Sequence, residues 1–366
     1  MVRQRADIAA LPLYTQGKSP SGDAVKLSSN ENPYPPLPSV RAAVADRLER
    51  FHLYPNMAAP ELTQRVAERF GVEPECLAFG AGSVEVATNL VTAAAGPGDE
   101  VVFAWRSFEA YPIIARVAGA TPVMIPLTED ERHDLPAMAD AIGERTRLVF
   151  VCNPNNPTGA LVTTAELDAF MARVPADVLV VVDEAYVHFN DNPDTASGID
   201  FFRRYPNIAV LHTFSKAYGL AGLRIGYAIA QPDVAANLRR VALPFGVTDL
   251  AQAAAVASLD AENELAERVD LIVTERARLI DGLRAGGWRV IDSFANFVWL
   301  RTGVHTDAVN AVLAQHGVVA RAFTGEGIRI TIGAPAANDR VLAAAAVALP
   351  LTTTTPSDTP TETAFA

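Results

Sequence analysis

Cysteine is nearly absent: two residues, Cys76 and Cys152, in a chain of 366. Two cysteines cannot staple a chain of this size, and neither lies in a Cys-x-x-Cys or a His-rich ligand spacing, so neither a disulfide framework nor a metal centre is expected. Both read as small core residues in a reducing compartment. Long apolar runs are also missing. The most apolar stretch, Val341 to Leu351, is too short to span a bilayer, and no apolar segment of a secretion signal follows the start Met1-Val-Arg-Gln-Arg-Ala-Asp7. A cytoplasmic protein with no membrane partner is expected. Positive charge is scarce and scattered: 30 Lys and Arg against 42 Asp and Glu leave a formal net charge of −12. An acidic chain without a basic stripe repels phosphate backbones, which argues against nucleic acid as a partner.

What is present is a large potential core. Half the residues are hydrophobic and a fifth charged, enough for about two domains of roughly 150 residues. From about residue 60 to 230, short β-branched runs alternate with amphipathic or Ala-rich stretches, the rhythm of βαβ units around a parallel sheet. Glu100–Phe103, Leu148–Cys152, Val178–Val182 and Ile208–Leu211 read as strands covered on both faces. After about residue 245 the pattern changes. Asp249 to Gly286 reads as one long or broken helical stretch, and strands are expected around Arg289–Ile291, Asn296–Arg301 and Arg329–Ile332, with helices near 306–316 and 338–349. That is a second, smaller α/β domain over 246–350, after a large domain over 30–245. Residues 351–366 have almost no apolar content and read as a disordered tail.

The segment His212-Thr-Phe-Ser-Lys-Ala-Tyr-Gly-Leu-Ala-Gly-Leu-Arg-Ile-Gly226 directly follows a buried strand. Open α/β sheets place ligands at the carboxyl ends of strands, and a lysine there can form a Schiff base with a carbonyl cofactor. A lone lysine would more simply be a solvated surface residue, but this one has company. Arg224, eight residues on, suits a phosphate held beside an imine, and Ser215 adds a hydroxyl. Upstream, Asn153-Pro-Asn-Asn-Pro-Thr-Gly159 and Asp183-Glu-Ala-Tyr186 each follow a strand. Asp183 lies 27 residues after Asn156, and Lys216 lies 33 after Asp183, each about one strand-plus-helix unit. Singly, Asp183 reads as a helix cap, Tyr186 as a packed aromatic and Asn156 as a turn former. Phe79-Gly-Ala-Gly-Ser-Val-Glu-Val86 opens a helix whose first N–H groups suit a phosphate. A dinucleotide fingerprint fails there, because the third glycine position is Glu85.

Together these motifs resemble the fold-type I pyridoxal-phosphate (PLP) enzymes, an aspartate aminotransferase-like α/β fold with a mostly parallel central sheet and a smaller α/β domain. The resemblance implies that Lys216 carries PLP covalently as a Schiff base and acts as general base and acid. It implies that Asp183 pairs with the pyridine nitrogen, Asn156 and Tyr186 bond the phenolic oxygen, and Phe108 stacks on the ring. Ser83, Val84, Ser215 and Arg224 would hold the phosphate. Tyr54, in Tyr54-Pro-Asn56, would reach the phosphate in the neighbouring subunit of a homodimer with shared active sites. Residues 1–29 would associate with the smaller domain.

Asn30-Glu-Asn-Pro-Tyr34 and Gly327-Ile-Arg-Ile-Thr331 are similar to the histidinol-phosphate aminotransferase group. Arg329 would then pair bidentately with a substrate carboxylate, and Tyr14 and Asn30 would line the substrate side. Within that group, Arg321-Ala-Phe-Thr-Gly-Glu-Gly-Ile-Arg329 is similar to the aromatic amino-acid (phenylalanine) aminotransferases, with Phe323 favouring an aromatic ring. The implied reaction is ping-pong transamination of phenylalanine or tyrosine with 2-oxoglutarate, in amino-acid biosynthesis. The alternatives are histidinol phosphate as substrate, a PLP lyase or decarboxylase, an NAD-dependent oxidoreductase, and a non-catalytic binding protein on the same fold.

Overall fold

The structure, a computed structural model, describes residues 2–3, 5–11 and 22–352. Tyr14 and, of the expected tail, residues 353–366 lie outside the described residues. The chain divides into two compact units.

The first unit comprises Met1–Thr15, Glu31–Val273 and Ile291–Asn296. Its centre is a sheet of seven strands: β1 Leu77–Gly80, β2 Glu100–Trp105, β3 Thr121–Pro126, β4 Thr146–Cys152, β5 Leu179–Asp183, β6 Ile208–Thr213 and β7 Gly226–Ile229. The spatial order is β1-β7-β6-β5-β4-β2-β3. Strands β2 to β6 pair in parallel, and β7 runs antiparallel to both β6 and β1. The central strands have no solvent face: Val149, Phe150, Val180, Val181, Val182 and Val210 are fully buried, as helix-covered parallel strands require. Strand β3 carries Pro122 and Pro126 and lies at the edge, where a missing N–H interrupts no second ladder.

This order positions a ligand. Successive strands run outward from β2 to β3, then reverse from β4 through β6, so the switch of direction falls between β2 and β4. Open α/β sheets bind ligands outside the carboxyl strand ends at such a point. Because β1 and β6 both oppose β7, the carboxyl ends of β1, β2, β4, β5 and β6 share one edge with the amino end of β7.

The second unit comprises Gln16–Asn30, Thr274–Val290 and Phe297–Ala366. It contains an antiparallel sheet of β8 Phe297–Leu300, β9 Arg321–Phe323 and β10 Gly327–Thr331, ordered β9-β10-β8. Helices Thr306–Gln315 and Pro335–Ala348 accompany it. Val25–Lys26 pairs in parallel with Val318–Val319, so residues 22–29 of the N-terminal segment belong to this unit, whereas residues 2–3 and 5–11 belong to the first.

Two sequence expectations need correcting. The boundary near residue 245 shifts to 273/274, because helix Asp249–Asp260 buries Ala251, Ala254, Ala255 and Ser258 and packs on helices Pro38–Ala45 and Pro60–Phe70 of the first unit. No strand forms at Arg289–Ile291. There the Val290 carbonyl accepts from Arg284 Nε at 3.1 Å and Nη2 at 2.8 Å, and the Trp288 indole donates to the Ala345 carbonyl at 3.0 Å. Side chains take up groups that a ladder would use.

Candidate active site

The shared edge of the large sheet collects most of the residues singled out above. Asp183 ends β5 and pairs in register with Cys152 of β4 and Leu211 of β6. Lys216 lies three residues beyond the end of β6, partly exposed, with its Nζ 5.8 Å from the centroid of the Tyr186 ring. Tyr186, Asn156 and Ser215 are buried beside these strand ends.

Asp183 is 4% exposed. Burial raises its pKa above the ordinary carboxylate value, while hydrogen bonds from Tyr111 Oη at 2.6 Å and Ala185 N at 3.2 Å act in the opposite direction. Its charged form therefore suits a cationic partner such as a protonated pyridine nitrogen. Tyr111 itself is fully buried, stacks on Phe150 at 4.2 Å and 8°, and meets Phe108 edge-on at 5.5 Å and 90°. Burial, and then the nearby Asp183 charge, push its phenol well above the usual range, so it remains a donor.

A second network aligns the loops. Asn155 Oδ1 accepts from Ser107 Oγ at 2.8 Å, and Asn155 Nδ2 donates to the Arg106 carbonyl at 3.2 Å and to Thr158 Oγ1 at 3.0 Å. This buried amide joins the segment preceding Phe108 to the turn that holds Asn156. His133 Nε2 lies 3.1 Å from the same Oδ1, so Nε2 must carry the proton. Asn32 Nδ2 donates to the carbonyl of Ala217, next to Lys216, at 2.8 Å. Tyr111, Asn155, Ser107, His133 and Asn32 are not among the expected site residues. A tyrosine three residues after Phe108 is the one available hint.

The expected phosphate donors also lie together. Helix Ser83–Ala94 starts behind Gly82 with no side-chain cap, and the N–H groups of Ser83 and Val84 have no partner among the described residues. A Cβ on Gly226 would stand 2.4 Å from the Ser83 nitrogen, and one on Gly82 would stand 2.5 Å from Arg224 Nη2. Only glycines let the helix start, strand β7 and the arginine crowd so closely. Arg224 is exposed, with φ 57°, and donates to the carbonyls of Ala221 at 2.8 Å and Ala81 at 3.3 Å. A cation, a helix dipole and open backbone donors fit a phosphate.

In the second unit, Arg329 is 7% exposed on β10, donates to the Ser28 carbonyl at 2.7 Å and lies 5.6 Å from the Phe297 ring centroid. Asn30 is buried, and its Oδ1 accepts from Thr331 Oγ1 at 3.1 Å, so this side chain anchors the N-terminal segment to β10. Tyr54 is 82% exposed and packs against Phe245, with ring centroids 4.5 Å apart and the rings tilted by 32°.

Two histidines near the site, His133 buried and His188 half-buried, predict an acid limit. Burial lowers His133 to about 4 and His188 to about 3, from 6.5. Because the unfolded chain takes up these protons first, stability is intact above about 6.5 and falls as pH drops toward 4. Each histidine costs about 3 kcal/mol by then. Urea unfolding between pH 7 and 4.5 should show this slope, and His188→Phe should remove about one proton from it; a flat profile would contradict the assignment.

The family described as aminotransferase class I and II matches residues 22–345. An aromatic amino acid aminotransferase of Cutibacterium acnes is 56% identical over 345 residues, covering 94% of this chain and 98% of the relative. One of Streptomyces coelicolor is 57% identical over 338 residues, covering 92% and 94%. Among solved structures, histidinol-phosphate aminotransferase from Sinorhizobium meliloti in complex with pyridoxal-5'-phosphate superposes with a TM-score of 0.86 at 27% identity, covering 96% of this chain and 98% of that one.

Proposed function

Because the chain belongs to the class I and II aminotransferase family, whose members depend on PLP, we propose that it transaminates aromatic L-amino acids with 2-oxoglutarate, with Lys216 carrying the cofactor. The observation that carries the reading is the gathering of Asp183, Asn156, Tyr186, Lys216 and the Ser83/Arg224 cradle at one sheet edge. The aromatic preference is supported by relatives of that name at 56% and 57% identity.

PLP, when bound, supplies an electron sink for the pair left at the substrate Cα when its proton departs. The chain's residues do the rest. Asp183 holds the proton on the pyridine nitrogen. Asn156 and Tyr186 donate to the phenolic oxygen, and Phe108 packs against the ring. Ser83, Val84, Ser215 and Arg224 grip the phosphate. Lys216 moves the proton between substrate Cα and cofactor C4′, and Arg329 pairs with the substrate carboxylate. Asn30 and Tyr14 belong to the substrate side by resemblance. Keto acid leaves before the second substrate enters, giving ping-pong kinetics.

A homodimer accompanies this reading. Phe51, Leu53, Tyr54, Met57 and Leu243 are exposed apolar side chains, and Tyr54 packs against Phe245 of the same surface. A patch of this kind suits a second copy, to which Tyr54 would lend its hydroxyl.

The substrate is tested by comparing kcat/KM for phenylalanine, tyrosine and histidinol phosphate with 2-oxoglutarate. An aromatic amino acid should exceed histidinol phosphate by at least about tenfold, within the range that apolar pocket contacts supply. The reverse order would assign the chain to the histidinol-phosphate reaction.

A further inference from the structure

Glu85 occupies an unexpected place. It lies in the first turn of helix Ser83–Ala94, beside the N–H groups assigned to a phosphate, where a carboxylate adds like-charge repulsion. Both of its oxygens are engaged. Oε2 accepts from the backbone N–H of Ala81, inside the phosphate loop. Oε1 accepts from the N–H of Leu243 at 3.2 Å, 158 residues away. Gly246 lies alongside, where a Cβ would stand in ordinary contact with Oε2, at 3.5 Å. Leu243 is 66% exposed, and Phe245, two residues on, packs against the Tyr54 ring. Glu85 also stands in the wall of a cavity of about 440 Å³ with Met57, Phe79, Leu243 and Phe245. One carboxylate thus ties the phosphate loop to the surface offered to a second subunit.

We propose that Glu85 is a positioning residue that makes cofactor-phosphate binding and the pairing of two copies of this chain depend on each other. The proposal rests on the reading above, of PLP at this loop and of a homodimer. Phosphate on Ser83 and Val84 orders the loop, Glu85 transmits that order to Leu243–Phe245, and the apolar face is set for its partner. By linkage, pairing must tighten cofactor binding by the same factor.

The test is the dimer dissociation constant of the full-length protein with and without PLP, measured by sedimentation across a dilution series. Tyr54→Phe serves as the common background, because it removes the direct link from the partner's phosphate to Tyr54, and in it PLP should still tighten the dimer by about tenfold or more, a typical coupling. Glu85→Ala should reduce that ratio below about twofold. Leu243→Pro, which removes the N–H but leaves Glu85 in place, should do the same, and Glu85→Gln should fall between. A purely helix-stabilising Glu85 would lower the melting temperature of both forms and leave the ratio untouched. An undiminished ratio when Glu85→Ala or Leu243→Pro is added to Tyr54→Phe, or a Tyr54→Phe dimer indifferent to PLP, overturns the proposal. A wild type that takes up no PLP, or forms no dimer, refutes the parent reading and this inference with it.

Discussion

Lys216→Ala should reduce transamination by about 10⁴ or more, the upper end of what a positioned proton-transfer group contributes. The loss should be this large because one side chain serves twice, holding the cofactor and carrying the proton between Cα and C4′. Tyr186 has its ring centroid 5.8 Å from Nζ, and its phenol is assigned to the cofactor oxygen. The fold should survive, since Lys216 is only partly buried and its backbone carbonyl keeps the bond from Gly219 N at 3.1 Å. The visible absorbance of lysine-bound PLP should vanish while non-covalent PLP still binds through the Ser83/Arg224 cradle. A variant with normal turnover would refute the mechanism.

Asp183→Asn should lower kcat/KM by about 10- to 1,000-fold, the loss of an opposite-charge pairing worth one to three pKa units at the pyridine nitrogen. The amide has the same shape and its single oxygen still accepts from Tyr111, so packing against Phe150 is retained, while the bond from Ala185 N is lost. Stability without cofactor should change little. The folded pKa of Asp183 is raised above 3.8, so its ionisation opposes folding as pH rises through that folded value. At pH 7 the relief of that opposition should offset the one lost hydrogen bond, and the cofactor-free asparagine variant should melt close to the wild type. Full activity in this variant, or a large drop in its melting temperature, would contradict the role given to Asp183. Tyr111→Phe offers the complementary case: the acid stays but loses a donor, so activity should fall less and stability more.

How much of this was legible without coordinates depended on whether residues act with their sequence neighbours. The run at 178–182 reads as a buried strand because five apolar residues leave no polar face, and Asp183 and Lys216 follow such strands at a unit's spacing. Strand β7 and its antiparallel pairing to β6 carry no such mark, since Gly226–Ile229 is four residues long. Tyr111 looks like any core aromatic until the fold brings Asp183, 72 positions on, within 2.6 Å. Asn155 looks like a turn residue until Ser107 and His133 converge on it. The domain boundary failed for a similar reason: Asp249–Asp260 has helical composition, and only its packing on Pro38–Ala45 and Pro60–Phe70 assigns it to the first unit.

The chain contains only three lysines, Lys18, Lys26 and Lys216, which makes the central claim unusually direct to test. Loading the purified protein with PLP, reducing it with borohydride and mapping the peptides by mass should place the cofactor adduct on the Lys216 peptide alone, with activity lost in proportion. An adduct on Lys18 or Lys26, or none at all, would contradict the account.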